Sequence, residues 1–160
     1  MIDDAPGVSD ELVEAAEAIA AAPAQITPEW IGDLVHRGLD LLAYVEVTGI
    51  VSRLIAGDTY LRGVGADVHP LSEPVEGDPS GERMTEAGID RGWVPTVGPA
   101  GAPNALSAVP AENVAQEDLH SALYLSYEGM ADLDATIDGL HRTQMELTAA
   151  RTSFINDCFF

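Results

Sequence analysis

The sequence predicts an all-α protein, on three observations. Hydrophobic residues make up 46% of the 160-residue chain but aromatic ones only 6%, with many alanines and leucines, a balance that favours packed helices over β-sandwiches. Apolar residues recur at helical spacing between recognisable start and stop signals. The stretch from Arg142 to Asn156 contains neither glycine nor proline, so nothing in it interrupts a helix. A chain of this length buries roughly two-thirds of its unfolded surface, enough for a real core.

The first eight residues are acidic and contain Pro6 and Gly7, and are expected to fray. Ser9 or Asp10 offers a cap to a helix carrying Leu12, Val13, Ala16, Ile19 and Ala20 on one stripe, ending before Pro23. Thr27-Pro28-Glu29 repeats the start signal: a side-chain acceptor, a proline at the first helical position and an acid in the first turn. That second helix, through Trp30, Ile31, Leu34 and Val35, should stop at Gly38. From Asp40 the apolar residues Leu41, Leu42, Tyr44, Val45, Val47, Ile50, Val51, Leu54, Ile55 and Leu61 are too dense for a surface helix. This element should be central. Its β-branched cluster would also suit a strand, but its length favours a helix.

Seven of the ten prolines fall between His69 and Pro110, with glycines at 77, 81, 88, 92, 98 and 101. The spacing predicts a long irregular connector. Trp93 and Val94 are expected to pin it to a helical face, since a tryptophan brings about 150 to 250 Å² of surface that seeks cover; a flexible linker is the alternative. Helices should resume with Ala105 to Val109, continue through Val114, Leu119, Leu123 and Leu125, then Met130 to Ile137 before Gly139, and end with one starting near His141 or Arg142. Three segments result: a helical part over 1–68, the connector over 69–103 and a second helical part over 104–160.

Charge excludes several functions. Twenty-seven acids against seven basic residues, all arginines, give a formal net charge of −20. Such a surface repels phosphate backbones and anionic headgroups, so neither nucleic acid nor a membrane surface is expected as a partner. The absence of lysine fits either a GC-rich genome or a high-salt cytosol, where counterions screen self-repulsion. One cysteine forms no internal disulfide and no leader pattern precedes Ser9, so the expected compartment is the cytoplasm. The longest apolar stretch, Leu41 to Val51, is broken by Glu46 and too short to span a bilayer.

The candidate chemistry lies at the end of the chain. Glu146 sits on the last helical stretch, and Cys158 follows after eleven intervening residues. On a helix Ala149, Ala150 and Ser153 share the face of Glu146. All three are small, predicting a narrow groove from the carboxylate towards Cys158 on a helix otherwise buried over most of its circumference. The plainer alternatives are an exposed ion pair with Arg142, worth a few tenths of a kcal/mol, and a cysteine that is simply a small buried hydrophobe. Glu117, Asp118 and His120 point around a helix instead of converging on a metal, and His36, His69 and His141 are scattered. Gly63-Val-Gly65 runs into Asp67, whose charge would repel a phosphate. No Ser-His-Asp arrangement has a recognisable elbow, and Tyr124 and Tyr127 fit core or interface better than a cofactor box. Neither metal nor cofactor is expected.

The segment Leu140-His-Arg-Thr-Gln-Met-Glu-Leu-Thr-Ala-Ala-Arg-Thr-Ser-Phe-Ile-Asn-Asp-Cys158 resembles the core helix of the alkylhydroperoxidase-like family, also called the carboxymuconolactone decarboxylase family. That family places Glu, eleven residues, Cys, two residues, Cys, three residues, His. Glu146 and Cys158 match the first two elements; the second cysteine and the histidine would fall beyond Phe160. One departure is His141 where the family usually shows Ser, Thr or Asp as the helix cap. The first part of the chain is similar to the end of one such domain and the last part to the beginning of another, so the expectation is a piece cut from within a two-domain relative, or a split protein completed by another chain.

The resemblance implies an all-α alkylhydroperoxidase-like architecture, here incomplete. It implies thiol-dependent hydroperoxide reduction fed by a thiol reductant, and a homo-oligomer for which the apolar Asp40 to Arg62 element would serve as interface. Glu146 would be a proton-relay acid of raised pKa and Cys158 the resolving cysteine. The 160 residues alone should show little or no peroxidase turnover. A non-catalytic helical oligomerisation module and a carboxymuconolactone decarboxylase-like protein are the alternatives.

Overall fold

A computed structural model describes residues 8–73, 75–76 and 81–156. The chain is mostly helical, with five α-helices and one two-stranded hairpin among the described residues. It divides into two compact units, Met1–Val114 and Ala115–Phe160.

In the first unit, α1 (Asp10–Ala21) starts where the Ser9 hydroxyl accepts the Leu12 N–H, and α2 (Pro28–Arg37) where the Thr27 hydroxyl accepts that of Trp30. These side chains satisfy amides that have no partner within the helix. Gly38 ends α2 at φ 121°, a conformation in which a β-carbon would be strained. Asp40 then caps α3 (Leu41–Gly63), accepting the Leu42 N–H at 2.9 Å. All three helices begin and end close to where the sequence signals put them.

Ala15 and Ile19 of α1, Ile31 and Leu34 of α2, Leu39 and Tyr44 make one buried cluster. Val45 makes a second with Leu106 and Val109. Arg37 ties α2 to α1 through Glu14 at 2.6 Å. The apolar faces bring the helices together, and this exposed pair adds little.

Residues 81–103 of the connector, together with the turns at 104–109 that follow it, pack as part of this unit. Gly88 and Thr96 form an antiparallel bridge, the Met84 amide donates to the Ala108 carbonyl, and the Ser107 hydroxyl accepts the Val97 N–H at 2.8 Å. Val94 packs against both apolar clusters. Trp93, expected to share that task, is 41% exposed. The pinning therefore comes from Val94 and from backbone hydrogen bonds, which replace the water that an unpaired loop would need. A partly buried ion pair of Arg83 with Glu46 of α3 adds to it, and just past the connector Glu112 pairs with Arg53 of α3 at 2.6 Å. A β-carbon at Gly49 would overlap the Glu112 carboxylate, so glycine is what lets that acid reach the α3 backbone.

Two further expectations differ from the structure. Residues 105–109 are turns, and α4 (Pro110–Leu123) begins at a proline, whose missing amide costs nothing at a first helical position. Met130 to Ile137 is not a helix. Gly129–Ala131 makes one tight turn, after which β1 (Thr136–Ile137) pairs antiparallel with β2 (Leu140–His141), Thr136 opposite His141 and Ile137 opposite Leu140. Asp138 and Gly139 both take positive φ, 50° and 84°, as a two-residue hairpin turn requires. The short hairpin delivers the chain to α5 (Arg142–Ile155).

Candidate functional site

The second unit is organised around the start of α5. His141 caps it: its Nδ1 accepts the Thr143 N–H, while the Gln144 side chain accepts the His141 N–H at 2.9 Å. This reciprocal arrangement does the work of a serine or threonine capping box, so the unusual residue at this position still starts the helix.

Arg142 follows and is 92% buried, 8% exposed. Its backbone N–H donates to the Ala135 carbonyl at 2.8 Å, and its Nη1 donates to the carbonyls of Asp132, at 3.0 Å, and Met130. Its Nε donates to Glu146 Oε1, one turn along, at 2.9 Å. A buried guanidinium is tolerable only with donors used, and the irregular segment before the hairpin supplies two backbone carbonyls to it.

Glu146 therefore differs from the relay acid expected of it. Its side chain is 47% exposed. Its carboxyl is held below the ordinary carboxylate value by the nearby Tyr124 hydroxyl first and by Arg142 second, both of which favour the charged form. Burial, the effect that would raise it, is the weaker influence. The carboxylate is an anion at neutral pH, so in its resting state it can accept a proton or hold a cation.

Tyr124 lies just past the end of α4. Its hydroxyl is buried and makes no fully formed hydrogen bond, yet it sits close enough to Glu146 for the two to shift each other. Burial pushes the phenol up, and the neighbouring carboxylate pushes it further. His120 meets Tyr124 edge to face, ring centres 5.4 Å apart, and lies tilted on Tyr127 at 5.1 Å. Its Nδ1 abuts the Leu125 carbonyl. Burial, and then Glu117, raise the Tyr127 phenol.

Sequence pattern suits Tyr124 to core or interface; in the structure its hydroxyl is buried and lies close to Glu146. The available signal was the i, i+4 spacing of His120 and Tyr124 at the end of a helix, which stacks two rings on one face. Among the described residues no group of three or more His, Cys, Asp or Glu could hold a metal ion, and no helix is long and apolar enough to cross a membrane.

A groove of about 700 Å³ runs along α5. Met145, Thr148, Ala149, Thr152 and Ser153 form one wall, and Tyr124 and Leu140 stand opposite. The expected stripe contributes Ala149 and Ser153 to this wall, but Glu146 and Ala150 do not line it. The groove is rotated about a quarter turn around the helix from the expected one, while Glu146 and Arg142 share the neighbouring face. Nor is α5 buried over most of its circumference: Leu147, Phe154 and Ile155 are 73%, 75% and 67% exposed. So short a unit has too little chain to wrap a helix on every side. Cys158 lies outside the described residues.

No protein-family model, curated protein or solved structure matches this chain.

Proposed function

We propose that the chain is part of an alkylhydroperoxidase-like, peroxidase-related protein, in which Glu146 and Cys158 belong to a thiol-dependent site for reducing hydroperoxides. The observation that carries this reading is the carboxylate of Glu146, matched in spacing to Cys158 and kept charged by Tyr124 and Arg142. The architecture proposed is that family's helical one, assembled as a homo-oligomer and served by a thiol reductant.

In such a site a thiolate attacks the outer peroxide oxygen. The S–O bond forms, the O–O bond breaks, and the departing alkoxide takes up a proton to leave as an alcohol. A second thiol then attacks the sulfenic sulfur, water leaves, and a dithiol donor returns two electrons. Glu146, already an anion, fits the proton-accepting half of this cycle: it would take the thiol proton and pass it on. Its low proton affinity makes that transfer uphill, so a histidine of ordinary pKa between it and the thiol would ease the step. The groove beside Tyr124 offers room for an alkyl chain.

The 160 residues hold one cysteine, and turnover by this chain alone is expected to be negligible. The reading is tested without turnover, by following alkylation of Cys158 against pH in the wild type and in Glu146→Gln. Removing a nearby negative charge should lower the thiol pKa by about half a unit or more. A profile like that of free cysteine, the same in both proteins, would reject the coupling.

A second reading, a non-catalytic helical assembly module, is favoured by the exposure of Glu146 and of the outer face of α5. It makes the Arg142–Glu146 pair purely a clasp on the α5 start, and it predicts that same unshifted profile.

A further inference from the structure

The groove along α5 holds one group that peroxide reduction does not use, the carboxylate of Asp138. The groove lies wholly in the second unit, between the last turn of α4, the hairpin and α5. Its volume of about 700 Å³ falls within the roughly 300 to 1,000 Å³ of small-molecule sites. Leu123 of α4, Ile137 of β1 and Leu140 of β2 converge on it, each still 41% to 51% exposed. Across from them stand Met145, Ala149, Thr148 and Thr152. The two threonine hydroxyls donate to the carbonyls of Gln144 and Thr148, one turn back along α5. Those donors are spent within the helix, so a ligand body meets mostly carbon here.

Charge chooses the ligand. Among the described residues Asp138 alone brings a charge to the groove lining, and none of their ion pairs uses it. The hairpin fixes its place, because Asp138 and Gly139, both at positive φ, close the turn between β1 and β2. No arginine lines the groove: Arg142 is committed to Glu146 and two backbone carbonyls, and Arg151 lies over the Phe154 ring. An anionic ligand would find no counter-charge there, and a chain of −20 repels it from a distance. An uncharged one would leave the carboxylate unused. A cation with an apolar body matches both parts of the lining.

We infer that the α5 groove is a binding site for a slender monovalent amine, with the hydrocarbon body along Leu123, Leu140 and Ala149 and the ammonium group at Asp138. Neither Glu146 nor Cys158 takes part, so this site stands or falls separately from the redox reading. Its probes are inert towards thiols.

The experiment is an amide NMR titration of the full 160-residue chain at neutral pH and low salt with hexylammonium, 1-hexanol, hexanoate and methylammonium. Hexylammonium should move the amides of Leu123, Ile137, Leu140 and Ala149 and leave those of Ala15, Leu34 and Tyr44 in place. It should bind about two- to fivefold more tightly than 1-hexanol, the range of a solvent-open ion pair, and lose that advantage in about 1 M KCl. Hexanoate, and methylammonium with its charge but no body, should leave the groove amides unmoved. Asp138→Asn removes the charge and keeps the turn, since Asn-Gly favours positive φ, and should bring hexylammonium and 1-hexanol to equal affinity. Ala149→Phe fills the groove and should weaken both by about tenfold or more. No response to hexylammonium, equal affinity for amine and alcohol in the unaltered chain, binding of hexanoate, an amine preference that survives Asp138→Asn, or like shifts from hexylammonium and methylammonium would overturn the site.

Discussion

The two units of this chain are held together by opposite kinds of interaction. In Met1–Val114 the interior is apolar, two clusters of buried aliphatic side chains plus Tyr44, with the irregular connector laid against them through Val94. In Ala115–Phe160 Leu125 is the buried apolar side chain among the described residues, and the most connected buried group is a guanidinium. One region is fixed by area removed from water and the other by satisfied polar groups. The first tolerates changes of volume badly; the second tolerates loss of a donor badly.

The contrast breaks most sharply at Leu34, which is fully buried. Leu34→Ala should cost about 2 to 5 kcal/mol, read by denaturant unfolding, and hydrogen exchange should rise across α1 to α3 while residues 129–155 keep their protection. Arg142→Ala should do the reverse. It removes the donor that ties down the carbonyls of Met130 and Asp132, at about 1 to 3 kcal/mol, and proteolysis should reach the segment before the hairpin with α1 to α3 unaffected. Equal responses of both regions to either variant would remove the distinction.

The smallest expected effect is electrostatic and concerns Glu146. Its folded pKa lies below the ordinary 4.5, so the stabilisation it contributes is present above that value. It is lost as pH falls through the lower, folded pKa. Glu146→Gln should change stability at neutral pH little, because Glu146 is half open to solvent and the glutamine amide oxygen can still accept from the Arg142 Nε. The same substitution should bring the Tyr124 phenol down towards its ordinary value, since the carboxylate is one of the influences raising it. Ultraviolet titration of the tyrosines would show an unmoved Tyr124 if the two groups do not meet.

The first unit was more legible in the sequence than the second, for a physical reason. Ser9, Thr27-Pro28, Gly38 and Asp40 act on the backbone within three residues of themselves, so helix ends can be read locally. The hairpin is equally local, yet its signal is masked. Met130, Leu133 and Ile137 fall at near-helical spacing, and that pattern hid Asp138-Gly139, the stronger signal for a two-residue turn. The connector was legible as irregular but not as packed, because backbone pairs such as Gly88 with Thr96 leave no side-chain pattern. At the candidate site the Arg142–Glu146 pair followed from its spacing of four. The depth of Arg142 did not, since it depends on carbonyls ten and twelve residues earlier.

The most direct test of the central claim, that Tyr124 and Arg142 hold Glu146 as an anion, is a carboxyl-carbon NMR titration of the Glu146 side chain. The midpoint should fall below 4.5 and move upward in both Tyr124→Phe and Arg142→Ala. A midpoint at or above that value, unchanged by either substitution, would contradict it.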